Sequence, residues 1–447
     1  MKKILIFYMI LIFIILLAPV VYPAPSTFTN CAQTGRTGPS QAQCNTAYSG
    51  TPLQGIVTVT SGIQYWTVPS TGRYTIEAFG AKGGGVHTTG APGARMRGDF
   101  TLTAGTVLKI LVGQAGASWG GAHGNENGGG GGTFVTNTAN TPLIIAGGGG
   151  GGPSTSYGLS CARPITLGYG QTGTSGVTIS CFATGTGGAG GGGGSTAGTY
   201  QGGGGGGLTG NGANGGTHCA IAYGGLSFTN GGVGGTGNTC YGTTNWGGFG
   251  GGGGGQLSGP GAAGGYSGGG QAGNWVLSST YGGGGGSYNI GTSQSNSAGV
   301  NAGNGYVIIT SYPVISSVTD SPDPVNFGLP VKLSAYWTSA LGLSVKLHAC
   351  KTDSMTGTSC TSGYWCDTTA EWDSTSPSNC SYLTQPGDNA TTHDYYLFVC
   401  DSDPQCSLAS NPNQGSFTVR QSTVLGVVES WLRIANNLII GNTITIS

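Results

Sequence analysis

The chain has little charge. Its 447 residues carry 14 basic and 14 acidic side chains, which cancel. From Asn127 to Thr319 the only charged side chain is Arg163. No Lys/Arg cluster exists to neutralise a run of phosphates, which excludes nucleic acid as a partner. Metal-ligand spacing is missing as well: there is no Cys-x-x-Cys pair, and the 5 histidines are scattered, His218 reading as a neighbour of Cys219. Asp401-Ser402-Asp403 lacks the further carboxylates of a calcium loop and reads as a solvated turn. Glycine is abundant, yet no G-K-[ST] follows it, so no nucleotide loop is expected. Gly265-Tyr266-Ser267-Gly268-Gly269 has the letters of a hydrolase nucleophile elbow, but no helical pattern follows, and glycine-rich sequence produces such matches by chance. The expectation is a protein that is not an enzyme and holds no cofactor and no metal.

Glycine fills the space that charge leaves. The chain has 95 glycines, roughly three times ordinary usage. They cluster in runs at Gly128–Gly132, Gly147–Gly152, Gly190–Gly194, Gly202–Gly207, Gly250–Gly255 and Gly282–Gly286. The strict triplet of collagen is absent. Flexible linkers keep themselves solvated with Lys, Glu and Pro. Here the runs are interleaved with Tyr, Trp, Phe, Ile and Cys, which argues for packing. Ordering six glycines costs about 3–6 kcal/mol more than ordering alanines. Polyproline-II segments, with three residues per turn and no internal hydrogen bonds, would recover that cost by bonding laterally to one another, with glycine at every contact.

The N-terminus joins Lys2 and Lys3 to an apolar run from Ile4 to Val21, the pattern of a signal peptide or signal anchor over residues 1–26. Small residues Ala24 and Ser26 favour a cut before Thr27; uncleaved, the run is just long enough to hold the chain in a membrane. Either outcome exports the rest, to the cell surface or beyond. Twelve cysteines fit that destination, six before Tyr312 and six after it. In the first set, pairs close in sequence are expected: Cys31 with Cys44, Cys161 with Cys181, Cys219 with Cys240. In the second, Cys350, Cys360, Cys366, Cys380, Cys400 and Cys406 leave fifteen connectivities open.

Strands open the first module, residues 27–312. Ile56–Thr60, a Tyr-Trp-Thr-Val stretch and Arg73–Ala81 are rich in β-branched and aromatic residues, and Tyr74, Ile76 and Ala78 alternate with Thr75, Glu77 and Phe79. Further strands follow in RMRGDFTLTAGTVLKILVG, Pro142–Ala146, a Ser-Tyr-Asn-Ile stretch and Gly305–Thr310, with no sustained helical period. The sequence predicts an all-β core with glycine segments inserted.

CAQTGRTGPSQAQCNTAYSG (Cys31 to Gly50) resembles the start of the extracellular glycine-rich region of the anaplastic lymphoma kinase and leukocyte tyrosine kinase receptors. VPSTGRYTIEAFGAKGG, LKILVGQAG, PLIIAGGGGGG and GGFGGGGGG follow in the same order, so the resemblance covers about residues 28–312. It implies a tumour-necrosis-factor-like β-sandwich joined to a bundle of packed polyglycine helices. In those receptors the region binds a small basic cytokine through acidic side chains; here Glu77, Asp99 and Glu126 are nearly all the module offers, and no ligand-contact residue is carried over. The kinase motifs V-A-I-K, H-R-D and D-F-G are absent.

From residue 313 to about 420 the composition changes to short strands, with Val331, Leu333, Ala335 and Trp337 on one face. This resembles an immunoglobulin-like or fibronectin-type sandwich, although Trp337 precedes all six cysteines. Asn379 and Asn389 head glycosylation sequons. Residues 421–447 read as a tail or the start of an incomplete β module. The expected function is an exported binding or adhesion protein with a rigid glycine-rich head, whose partner is an extracellular protein or glycan. The rivals are a structural stalk that self-associates through its glycine segments, and a receptor ectodomain without its signalling part.

Overall fold

The computed structural model describes residues 25–85, 89–118, 127–153, 164–181, 183–197, 200–216, 220–237, 245–256, 259–272, 280–339, 344–368, 373–401, 406–407 and 413–420. Of the segment 1–26 expected to be a signal or anchor, only Pro25 and Ser26 are described, and the tail after Arg420 lies outside the described residues. The chain divides into two compact units between Tyr312 and Pro313. Among the described residues the structure is nearly all β, with one α-helix.

The first unit is built on two antiparallel sheets. One orders its strands Ser26–Phe28, Tyr306–Ser311, Gly72–Phe79, Gly93–Leu102 and Ser297–Asn301. The other runs Tyr288–Asn289, Pro142–Ala146, Thr133–Asn137, Val107–Leu111, Ile63–Thr67 and Val57–Thr60. The alternation in Arg73–Ala81 sends Tyr74, Ile76 and Ala78 to the interior. There Trp66 of the second sheet meets Phe28 and Tyr74 of the first edge-on, with ring centroids 6.0 and 6.3 Å apart. Ser26 is buried and paired with Ile309, so a cut before Thr27 would take one residue out of this edge strand.

Periodicity does not reveal the helix, Gln41–Ala47, which is too short to show any. Ser40 and Gln43 close it with a reciprocal capping box, and Cys44 on its buried side is bonded to Cys31.

The glycine segments form neither helix nor sheet, yet their backbone is hydrogen-bonded. Gly128 and Gly131 donate to Ala117 and Gln114; Gly129 and Gly132 donate to Gly253 and Gly250; Gly130 donates to Gly149. Gly282 and Gly285 donate to Gly151 and Gly148, Gly283 and Gly286 to Gly270 and Ser267, and Gly284 to Leu167. Donors three residues apart therefore face the same neighbour, the repeat of a polyproline-II rod. Most rods pair with partner numbers falling as donor numbers rise, but Gly261 and Gly264 donate to Asn127 and Gly130, a parallel pair. Gly250 and Gly251 take φ of 99° and 84°, turning the chain within the run as only glycine does without strain.

Aromatic side chains fasten this bundle to the outer face of the second sheet. Leu208, Phe228 and Phe249 from the bundle pack with Ile63, Leu111, Phe134 and Ile145. Phe134 and Phe228 stack at 5.0 Å, Tyr266 and Tyr288 at 4.6 Å, and the Lys109 ammonium sits over the Phe228 ring.

The second unit is a sandwich of a three-stranded sheet (Val314–Ser321, Pro330–Thr338, Ser378–Leu383) and a five-stranded one (Val325–Asn326, Gln414–Arg420, Thr392–Asp401, Val345–Cys350, Tyr364–Asp367). Val331, Leu333, Ala335 and Trp337 face a core with Leu347, Tyr395, Leu397 and Phe417. The disulfide Cys366–Cys380 joins the two sheets, and Tyr395 reaches across to donate to Asp320 at 2.9 Å. Cys350–Cys360 and Cys400–Cys406 close short loops.

Candidate recognition surface

Two regions of the first unit concentrate polar chemistry. The first is the outward face of the first sheet. Asp99 accepts from Arg73 at 2.5 Å and from the Thr75 hydroxyl at 2.5 Å, while Thr75 also meets the Tyr312 hydroxyl at 2.8 Å. The Arg73 guanidinium lies 5.0 Å over the Tyr312 ring. Burial pushes the Asp99 pKa up, but the hydrogen bonds from Thr75 and Arg73 and the charges of Arg73 and Arg97 outweigh it, leaving the carboxyl below the usual aspartate range. Glu77 is held by Arg95 at 2.9 Å and Arg97 at 3.4 Å. Both carboxylates are thus matched by arginines of their own sheet; Glu126 lies outside the described residues.

The second surface is the outer edge of the glycine bundle. The segment 222–226 is bonded on one side to 212–215 (Gly212 to Gly225, Gly215 to Ala222) and on the other to 233–236 (Tyr223 to Thr236, Leu226 to Val233). These three rods and Arg36 line an open groove of about 580 Å³. Tyr223 is 47% and Leu226 37% exposed. Two rod donors here are capped by side chains and not by another rod: Gly224 N–H donates to Asn214 Oδ1 at 3.1 Å and Ser227 N–H to Asn211 Oδ1 at 2.9 Å. A carboxamide offers the carbonyl a neighbouring peptide would otherwise supply. Arg36 similarly donates its Nε to Gly234 O at 3.0 Å. A second depression of about 450 Å³, beside Ser40 and Phe249, has no charged residue among the described residues of its lining.

The residues singled out in the sequence fall elsewhere. Ser267 is fully buried, and its Oγ accepts from Gly191 N–H at 3.2 Å, a lateral bond of the bundle. Cys161, Cys219 and Cys240 lie outside the described residues, as does the Cys181 side chain. Of the sequons, Asn389 is exposed after the turn Pro386–Asp388, whereas Asn379 is half-buried in a strand with its Nδ2 3.3 Å from Pro377 O. Asp401 is buried, and its would-be partners Ser402 and Asp403 are not described. Among the described residues no group of three or more His, Cys, Asp or Glu converges to hold a metal, and no helix is long and apolar enough to cross a membrane.

Sequence reasoning passed over Arg36, Asn211, Asn214, Tyr223 and Leu226. The available signal was spacing: Asn211 and Asn214, like Tyr223 and Leu226, are three residues apart, which is one turn of a rod. The tryptophan of the second unit's core edge was also missed. Trp365, beside Cys366, packs edge-on against Tyr382 at 4.9 Å and Phe417 at 5.4 Å. Below that ring the Tyr382 hydroxyl donates to Asp388 at 2.8 Å, and burial together with this acid pushes the phenol up to about 12.

No family model matches the chain. Over 98 residues, 21% of the chain, it is 42% identical to the leukocyte tyrosine kinase receptor of Mus musculus. The matched stretch is 11% of that receptor, so the chain spans about a tenth of the length of this relative.

Proposed function

We propose that this chain is an exported, non-enzymatic binding protein whose glycine-rich unit is a receptor-ectodomain-like recognition head. The second unit, read as an immunoglobulin-like sandwich, serves as a spacer or second contact. Three things support the reading: the partial identity to a receptor, four disulfides that suit an extracellular setting, and a bundle edge that is closed by side chains. The last carries most weight. Rods meant to assemble between molecules would leave their lateral N–H groups open to another rod, and here Asn211 and Asn214 occupy two of those positions. On this reading the two sheets of the first unit form the tumour-necrosis-factor-like sandwich implied by the resemblance, and the head presents its surface without rearranging.

The competing reading is a structural protein that assembles through its glycine rods. Sedimentation velocity of the exported chain over a hundredfold concentration range separates the two. A sedimentation coefficient that does not change with concentration is expected of a recognition head. Progressive growth of the species with concentration would replace that reading with assembly.

A further inference from the structure

The groove at the bundle edge repeats itself every three residues. Asn211 and Asn214 stand on one wall, Tyr223 and Leu226 on the central rod, and Gly234, Gly235 and Thr236 close it from the other side. In a rod with three residues per turn, side chains at i and i+3 share one edge and lie about 9 Å apart. The groove therefore carries the same repeat on two of its three rods. The carboxamide oxygens of Asn211 and Asn214 are occupied by the rod, while their Nδ2 groups meet no partner among the described residues. Two amide donors thus stand one turn apart, beside an aromatic and an aliphatic side chain at the same interval. Among the described residues of the lining Arg36 alone is charged, and its Nε bond to Gly234 leaves the outer guanidinium nitrogens for something else.

A ligand that fits this repeat has three residues per turn, carbonyls facing outward, apolar side chains at each turn and one negative charge. We propose that the groove binds an extended peptide segment in the polyproline-II conformation, proline-bearing and with an acidic residue placed beside Arg36. The carbonyls of successive turns accept from Asn211 and Asn214, and a proline ring packs between Tyr223 and Leu226. A proline-rich chain is already extended, so little conformational entropy is lost on docking, and aromatic-lined grooves use this advantage generally. The volume of about 580 Å³ lies in the range of ligand sites. The proposal rests on the recognition-head reading and names its partner's chemistry.

The test is calorimetric titration of the exported chain with an acetylated, amidated peptide of one aspartate followed by proline-rich triplets. A glycine-serine peptide of equal length and charge, which has no such conformation, is titrated in parallel. Saturable one-to-one binding of the first peptide alone is expected. Tyr223→Ala and Leu226→Ala should each weaken it about tenfold. Arg36→Gln should weaken it about threefold, and exchanging the probe's aspartate for asparagine should then have no further effect. Tyr223 and Leu226 are exposed, so an unchanged unfolding midpoint identifies a loss of contact and not of fold. Equal binding of both peptides, no saturation by the first, or indifference to Tyr223 and Leu226 would overturn the proposal. If the protein sediments unchanged with concentration yet ignores the probe, only the groove assignment fails. If it assembles with concentration, the recognition-head reading fails with it.

Discussion

At Gly131 a β-carbon would fall on the carbonyl oxygen of Phe249, and at Gly205 on that of Ala263. Both obstacles are backbone atoms of a neighbouring rod, which cannot turn aside as a side chain can. Gly131→Ala should therefore destabilise the first unit by about 3 kcal/mol or more, because two rods must separate to admit one methyl. Gly173 provides the contrast: nothing lies within 4 Å of the position its β-carbon would take. Gly173→Ala should leave stability within about 0.5 kcal/mol of the parent. Chemical denaturation of the two variants checks both numbers, and equal effects would mean that the rods do not touch. Composition alone could not separate these two glycines. The letter is the same, and only the neighbour across the rod differs.

At the scale of the element, strands with alternating side chains were legible and elements without a pattern were not. Arg73–Ala81 declared its buried face, and Gly72–Phe79 is the strand observed. The edge strands Ser26–Phe28 and Ser297–Asn301 gave no warning, since three residues, or five with one glycine among them, carry no period. The helix Gln41–Ala47 was written in its capping box, Ser40-Gln41-Ala42-Gln43, a local signal that strand reasoning overlooked. In the second unit the cysteine letters left fifteen pairings open, and strand placement selected among them. Cys366 lies in Tyr364–Asp367 and Cys380 in Ser378–Leu383, so their bond crosses between sheets over a separation of 14 residues. Replacing both with alanine should lower the stability of the second unit by about 3 kcal/mol through the unfolded chain's regained freedom. Urea-dependent hydrogen exchange of peptides over Thr392–Asp401 reads that loss, and an unmoved midpoint would assign the sheet contact to side-chain packing alone.

For the whole molecule, the question is whether the glycine segments behave as one solid. Every N–H from Gly250 to Gly255 donates to a backbone carbonyl, as do those from Gly203 to Gly207. Because each rod contributes bonds to several others, no single run can open without breaking its neighbours' bonds. Amides at 203–207 and 250–255 should therefore exchange as slowly as those of the sandwich strand Gly72–Phe79, in a single cooperative event. Exchange at the rate of an unstructured chain would make these runs linkers. The sequence by itself determined the fold class: β-branched alternation set the sandwich strands, and even sets of cysteines on either side of Tyr312 supplied disulfides that suit an extracellular setting. It also required glycine wherever backbones come together, because any other residue carries an atom that would keep them apart. Which rod lies against which, where the lattice stops, and that Asn211 and Asn214 stop it were decided only in three dimensions. Lateral hydrogen bonds between uniform segments have no side-chain code. Their partners are set by the path of the chain between runs, and by the aromatic residues Phe228 and Phe249 that fix the bundle on its sheet.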